Sequence, residues 1–190
     1  LPPEALVCAD ELRRIYEGRS MFACFPIIAV SHCWRTQAHP DPEGVTTRVL
    51  QEQLEKVWDR FAKYDEFSDV GLFFDWCSLW QSPRTPEQLK SFKRALPAIN
   101  LWYAHSHTFV WLVTDALVPH ADGRALGYAD KGWTMFEAAL ARKIKGDSFD
   151  QITELGDALG ITIETPMPPN EPLAFFKRHR YGNQFYIAEI

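Results

Sequence analysis

Pro26-Ile27-Ile28-Ala29-Val30-Ser31 is a short, continuous apolar run that ends on a polar residue. Runs of this kind are typical of strands buried on both faces of a sheet. Two more follow, Val70-Gly71-Leu72-Phe73-Phe74-Asp75 and Thr108-Phe109-Val110-Trp111-Leu112-Val113. Between the first two, His39-Pro40-Asp41-Pro42-Glu43-Gly44 reads as a turn, with Asp41 as helix cap and Pro42 at the first helical position. The helix beyond it places Val45, Val49, Leu54, Val57, Trp58 and Phe61 on one face. Between the second and third runs, Trp76 to Pro86 reads as a loop, and a helix runs from Glu87 toward Tyr103 with a bend at Pro97. A polar loop, Asp115 to Asp130, leads to a last helix that contains Glu137.

Strand, helix, strand, helix, strand, helix, with strands apolar throughout, predicts an α/β domain whose parallel sheet is covered on both faces. Ligands bind such sheets outside the carboxyl ends of the strands, at the switch point. Those ends are Ser31-His32-Cys33-Trp34-Arg35, Asp75-Trp76-Cys77 and Thr114-Asp115, all polar or aromatic. A short leading helix is expected over Ala9 to Glu17, closed by Gly18. Past Gly146 the signals weaken: Gly156, Gly160, Pro166, Pro168, Pro169 and Pro172 leave residues 146–190 without a predicted order.

At 190 residues, 46% hydrophobic and 14% aromatic, the chain is long enough for one globular domain, taken as residues 1–190. A net charge of −5 argues against a nucleic-acid footprint. The short basic run Lys177-Arg178-His179-Arg180 reads as a solvated face. Cys8, Cys24, Cys33 and Cys77 lie far apart with no C-x-x-C pair, which points to reduced thiols and a cytoplasmic location. No apolar run is long enough for a membrane span, and the first residues lack signal-peptide features. His105 and His107 read as structural, at the entry end of the third strand, and no metal is expected. No Rossmann fingerprint, P-loop or nucleophile elbow is present.

Glu137 stands out in Lys131-Gly132-Trp133-Thr134-Met135-Phe136-Glu137-Ala138-Ala139-Leu140. At about 100° per residue, Trp133, Phe136, Leu140 and Ile144 share an apolar face, and Glu137 falls roughly 40° from Trp133 at its margin. A carboxylate there is costly unless paired or used. The functional reading makes it a candidate functional carboxyl group; the structural reading pairs it with Arg35 or another cation.

Five segments, in order, resemble the HET (heterokaryon-incompatibility) domain family. Val30-Ser31-His32-Cys33-Trp34 looks like its "S-Y-x-W" strand, and Asp75-Trp76-Cys77-Ser78-Leu79-Trp80-Gln81 like its "D-x-x-C-I-N-Q" loop, with Trp80 in place of Asn. Ile99-Asn100-Leu101-Trp102-Tyr103-Ala104 resembles "I-Y-x-x-A", and Val110-Trp111-Leu112 the strand after it. Gly132-Trp133-Thr134-Met135-Phe136-Glu137 resembles "x-W-T-x-Q-E", with Phe136 replacing Gln. The Trp-to-Glu spacing is also that of the W-C-x-x-E motif of TIR domains, with Thr134 in place of Cys. The match covers roughly residues 26–142.

The resemblance implies a TIR-like, flavodoxin-like doubly wound sheet. It also implies an NAD glycohydrolase, with NAD as substrate, no cofactor, Glu137 as catalytic residue and self-association through the domain. In this reading Trp34, Trp76, Trp80 or Trp133 stacks on nicotinamide or adenine. Ser31 and Arg35 contact phosphate or ribose, with His32 beside them, and Asp75 bonds a ribose hydroxyl or caps its loop. Two alternatives stay open: a non-catalytic TIR/HET-like interaction module, and another nucleoside or nucleotide N-glycosyl hydrolase or transferase.

Overall fold

The first apolar run forms β1 (Ile27–His32), and all six residues are buried. In the computed structural model, residues 26–36, 38–62, 70–114, 118–119, 125–145 and 151–156 are described, with Leu6, Val7, Asp10 and Leu12. After β1 come α1 (Val45–Ala62), β2 (Gly71–Phe73), the one-turn helix α2 (Asp75–Ser78), α3 (Pro86–Ala95), α4 (Asn100–Ala104) and β3 (Thr108–Val113). A small antiparallel pair, β4 (Val118–Pro119) and β5 (Ala125–Leu126), precedes α5 (Gly132–Lys145) and β6 (Ile152–Leu155).

The main sheet is parallel throughout, in the order β2-β1-β3-β6. Ile27 pairs with Gly71 on one side and Thr108 on the other, and His32 with Val113. This is a flavodoxin-like α/β arrangement, with the order reversing at β1. Side chains alternate across a strand. Ile28, Val30, Trp111 and Val113 therefore pack with Leu50 of α1. Ile27, Ala29, Val110 and Leu112 pack on the opposite face with Tyr103 of α4 and with Ala138 and Ala141 of α5. Helices cover both faces, as the uninterrupted apolar strands predict. No helix among the described residues is long and apolar enough to cross a membrane.

Several boundaries differ from expectation for local reasons. Asp41 caps α1, but the helix starts at Val45, not Pro42. Its carboxylate accepts the N–H groups of Thr46 (3.0 Å) and Thr47 (2.8 Å), across a turn in which Gly44 takes a φ of 67°. Inward-facing positions of α1 are Thr46 and Leu50, flanked by Val49, Leu54 and Val57; Trp58 is exposed, and the side chain of Phe61 lies outside those described. Thr85 and Gln88 form a capping box that starts α3 at Pro86. The helical path breaks at Pro97 into a 3-10 turn, Leu96–Ala98, before α4. β2 is shorter than its apolar run because Asp75 already opens α2, where a loop was expected. The leading helix, Cys8, Cys24, the Lys177–Arg180 run and residues 157–190 lie outside the described residues.

The largest correction concerns α5. Thr134, Glu137, Ala138, Ala141 and Lys145 are buried, whereas Trp133, Phe136 and Leu140 are half-buried and Ile144 is 54% exposed. The helix turns its small residues, not its bulky stripe, to the sheet. Alanines permit the close approach that Phe136 and Leu140 would block. Lys145 is buried at the helix end. Its Nζ donates to the carbonyls of His105 and Thr108 (2.7 Å) and to Thr108 Oγ1 (3.1 Å), tying α5 to the start of β3. Burial pushes its pKa down to about 8.

Replacing Lys145 with Met keeps the stem and removes the three donors. The Thr108 carbonyl loses the Nζ donor, while the His105 carbonyl keeps the Thr108 N–H, so urea denaturation at pH 7 is expected to show a loss of about 1–3 kcal/mol. An unchanged midpoint would contradict the anchoring role.

Candidate active site

The carboxyl end of β1 carries two clusters, one on each face. Ser31 follows Ile27 and Ala29 on the side facing α5. Its Oγ lies 2.6 Å from Glu137 Oε2 and 2.6 Å from the Tyr128 hydroxyl. Tyr128 sits in the 3-10 turn Tyr128–Asp130 that leads into α5. Its hydroxyl reaches the Thr134 carbonyl (3.1 Å), and the Thr134 hydroxyl donates to the Tyr128 carbonyl (2.7 Å). These reciprocal bonds fix the first turn of α5, and with it the height of Glu137 above Ser31. Tyr103, rooted in α4, donates to the Val30 carbonyl (3.2 Å). The Tyr103 hydroxyl and the Trp133 indole also approach the Glu137 carboxyl and favour its charged form.

Glu137 is 3% exposed. Among the described residues, no basic side chain pairs with it. Arg35, the cation of the structural reading, turns instead to Asp41, with Nε 3.7 Å from Oδ1. Burial raises the Glu137 pKa to about 8, against hydrogen bonds from Ser31, Tyr103 and Trp133 and with help from the Asp75 charge. At neutral pH the acid is mostly protonated. When it ionises, Ser31 donates to it. When it is protonated, its own O–H faces Ser31, which is then free to donate to Tyr128.

The second cluster faces the other way. His32 is buried and stacks on Phe74, with ring centroids 4.4 Å apart. Burial, opposed by the charges of Asp75 and Asp41, holds its pKa below the usual value. Asp75 opens α2 and organises the loop. Its Oδ1 accepts the Trp76 N–H (2.7 Å), and its Oδ2 accepts the Trp34 indole N–H (3.1 Å). Trp34 meets Trp76 edge-on at 5.2 Å, and His39 lies against Trp76 at 4.9 Å. Both Trp34 and Trp76 are half-buried.

The expected site residues therefore divide. Ser31, Trp133 and Glu137 come together on one side; His32, Trp34, Arg35, Asp75 and Trp76 come together on the other. The charge of Asp75 is felt by both His32 and Glu137. Trp80 is 52% exposed and joins neither cluster. Tyr128 and Tyr103 were not singled out from the sequence. Tyr103 lies in the "I-Y-x-x-A"-like segment, which is a usable signal, whereas nothing in the polar loop marks Tyr128. His105 Nδ1 accepts the His107 backbone N–H (3.1 Å). Among the described residues, no group of three His, Cys, Asp or Glu is placed to hold a metal ion.

Fold and site define an α/β domain of flavodoxin-like topology with a buried, cation-free carboxyl group near the carboxyl edge of its sheet. Compared with known proteins, the chain matches no family model, no curated protein and no solved structure.

The raised pKa has a consequence for stability. The folded chain holds the Glu137 proton up to about pH 8, while the unfolded chain releases it near the ordinary 4.5. The stabilising contribution is complete below the unfolded value and is lost as pH rises through the folded one. Glu137→Gln abolishes this titration. Relative to wild type, the variant should gain little at pH 5 and up to roughly 4 kcal/mol at pH 9 in denaturant melts. A gap independent of pH would refute the buried-acid assignment.

Proposed function

We infer that this domain cleaves the bond between nicotinamide and ribose in NAD, releasing nicotinamide and ADP-ribose or a cyclised form. Water supplies the oxygen for the linear product, and one proton is released. The single observation that carries this reading is the Glu137 carboxyl, buried without a cation and held by Ser31, Tyr103 and Trp133. The resemblance to TIR and HET domains supplies the choice of substrate.

The chemistry suits one carboxylate. The pyridinium leaves as a neutral molecule, so no general acid is needed, and an oxocarbenium-like charge develops on the ribose. A carboxylate in a low-dielectric site stabilises that charge more than one in water. Glu137 is mostly neutral in the free protein. Bringing the cationic nicotinamide ring beside it favours the ionised form, so the substrate itself generates the negative group it requires. In this scheme Ser31 and Tyr103 orient the carboxyl, while Trp133 covers it. Trp34 and Trp76 offer flat faces for a ring, Asp75 an acceptor for a hydroxyl, and Arg35 a positive charge for the pyrophosphate. We place this activity in cytoplasmic defence, cell-death or signalling, with self-association through the domain.

A second reading, a TIR/HET-like interaction module, is favoured by the outer stripe of α5. Phe136 and Leu140 are half-buried there, and Ile144 is largely exposed.

The test is nicotinamide release from NAD by concentrated protein. Wild type should turn over, and Glu137→Gln should lose at least about 100-fold in rate, the scale expected for removing a key electrostatic group. A wild-type protein inactive at every concentration would leave the interaction module as the better account. An active Glu137→Gln would move the chemistry elsewhere.

A further inference from the structure

Among the described residues, His32 Nε2 is buried and has no hydrogen-bond partner. The side chain is 3% exposed, and Nε2 faces Asp75 Oδ1 at 4.0 Å. The backbone of Val30, whose carbonyl can only accept, also acts on the ring. With the imidazole proton on Nδ1, Nε2 is a lone pair. Two acceptors therefore face each other with no donor between them. The gap is too long for a direct bond, yet each lies within reach of a donor group seated beside both, at about 2.8 Å per bond. A buried nitrogen such as His32 Nε2 is rarely left in this condition.

The surroundings narrow what fits. Phe74 covers the His32 ring, so the open direction is toward Asp75. The Asp75 side chain is 24% exposed, which puts the pair within reach of the surface. Asp75 also binds the Trp34 indole, and Trp34 and Trp76 flank it as half-buried flat surfaces. Asp75 and Asp41 bring negative charge near His32, and Arg35 the opposing positive charge. A carboxylate ligand would meet two acceptors and a like charge, so it is disfavoured.

We propose that His32 Nε2 and Asp75 Oδ1 form a binding subsite for a ligand group that presents two hydrogen-bond donors and no negative charge. A primary carboxamide has this chemistry, and so does the cis-diol of a ribose. The choice of probes rests on the dinucleotide reading above; the subsite itself rests on the unpartnered His32 Nε2 and the carboxylate oxygen that faces it.

The experiment uses full-length protein labelled with 15N-histidine. It is titrated separately with NAD, nicotinamide, adenosine and nicotinate while the His32 Nε2 resonance is followed. NAD should move it toward the hydrogen-bonded position. Nicotinamide or adenosine should do the same, and whichever does so identifies the carboxamide or the diol as the donor. Nicotinate should leave it in place. His32→Phe, which retains the ring and the Phe74 contact, should bind the responding probe about tenfold more weakly, the equivalent of one lost hydrogen bond. A resonance already hydrogen-bonded in free protein and unmoved by any probe overturns the proposal, because water or Asp75 then satisfies the pair. Equal movement with nicotinate overturns it too. The readout needs no bond cleavage. A His32 response without nicotinamide release sustains the subsite and removes the hydrolase; release with an unmoved His32 does the reverse.

Discussion

A carboxyl group buried without a cation sets the terms for this end of the molecule. Such a group is tolerated only if polar partners come to it or it keeps its proton, and here both hold. Ser31 reaches it from the end of β1, Tyr103 from α4 and Trp133 from the first turn of its own helix. Tyr128 holds Ser31 from behind and is itself tied to Thr134. Three parts of the chain thus converge on one side chain, with Tyr128 bracing one of them. The small residues Ala138 and Ala141 let α5 come close enough for the convergence to happen. Lys145 secures the far end of the same helix to the start of β3.

The sheet was legible in the sequence because fully buried parallel strands are apolar at every position. Ile27 to Val30 and Val110 to Val113 leave no room for another reading. β6 was not legible, and the reason is its position. Ile152-Thr153-Glu154-Leu155 mixes apolar with polar residues and, among the described residues, pairs only with β3. Its register depends on contacts that no local pattern encodes. The break at Pro97 and the Asp41 cap were readable from single residues, because proline geometry and N-cap chemistry act locally. The start of α1 was not, because Gly44 adds a turn between the cap and the helix.

Glu137 shows the limit more sharply. A helical wheel identifies it as an acid beside an apolar stripe, but it assigns the wrong side to the core. Volume decides the matter: the sheet accepts Thr134, Ala138 and Ala141, and the aromatic stripe is displaced outward. The result is a deeper burial for Glu137 than its place on the margin implies. The strand-end candidates Ser31, His32 and Asp75 were legible because the topology of parallel sheets points there. Tyr128 was missed because its role comes from a contact across 97 residues of sequence. Trp80, an aromatic residue in the same loop as Asp75, faces solvent, and its exposure could not be read from the loop sequence.

Both clusters at the β1 end express the same physical theme, polar groups held in burial with their ordinary demands unmet. Among the described residues, none gives His32 Nε2 a donor and none gives Glu137 a cation. A cationic, hydroxyl-bearing nucleotide would supply both, and this complementarity links the electrostatics to the proposed chemistry. The most direct measurement is the carbon-13 resonance of the Glu137 side-chain carboxyl, assigned by its loss in Glu137→Gln and followed from pH 4 to pH 10. The account predicts a single titration centred at about 8. Titration near the ordinary 4.5 would contradict it, because Glu137 would then be a solvated or cation-paired carboxylate and not a buried acid awaiting a positive ligand.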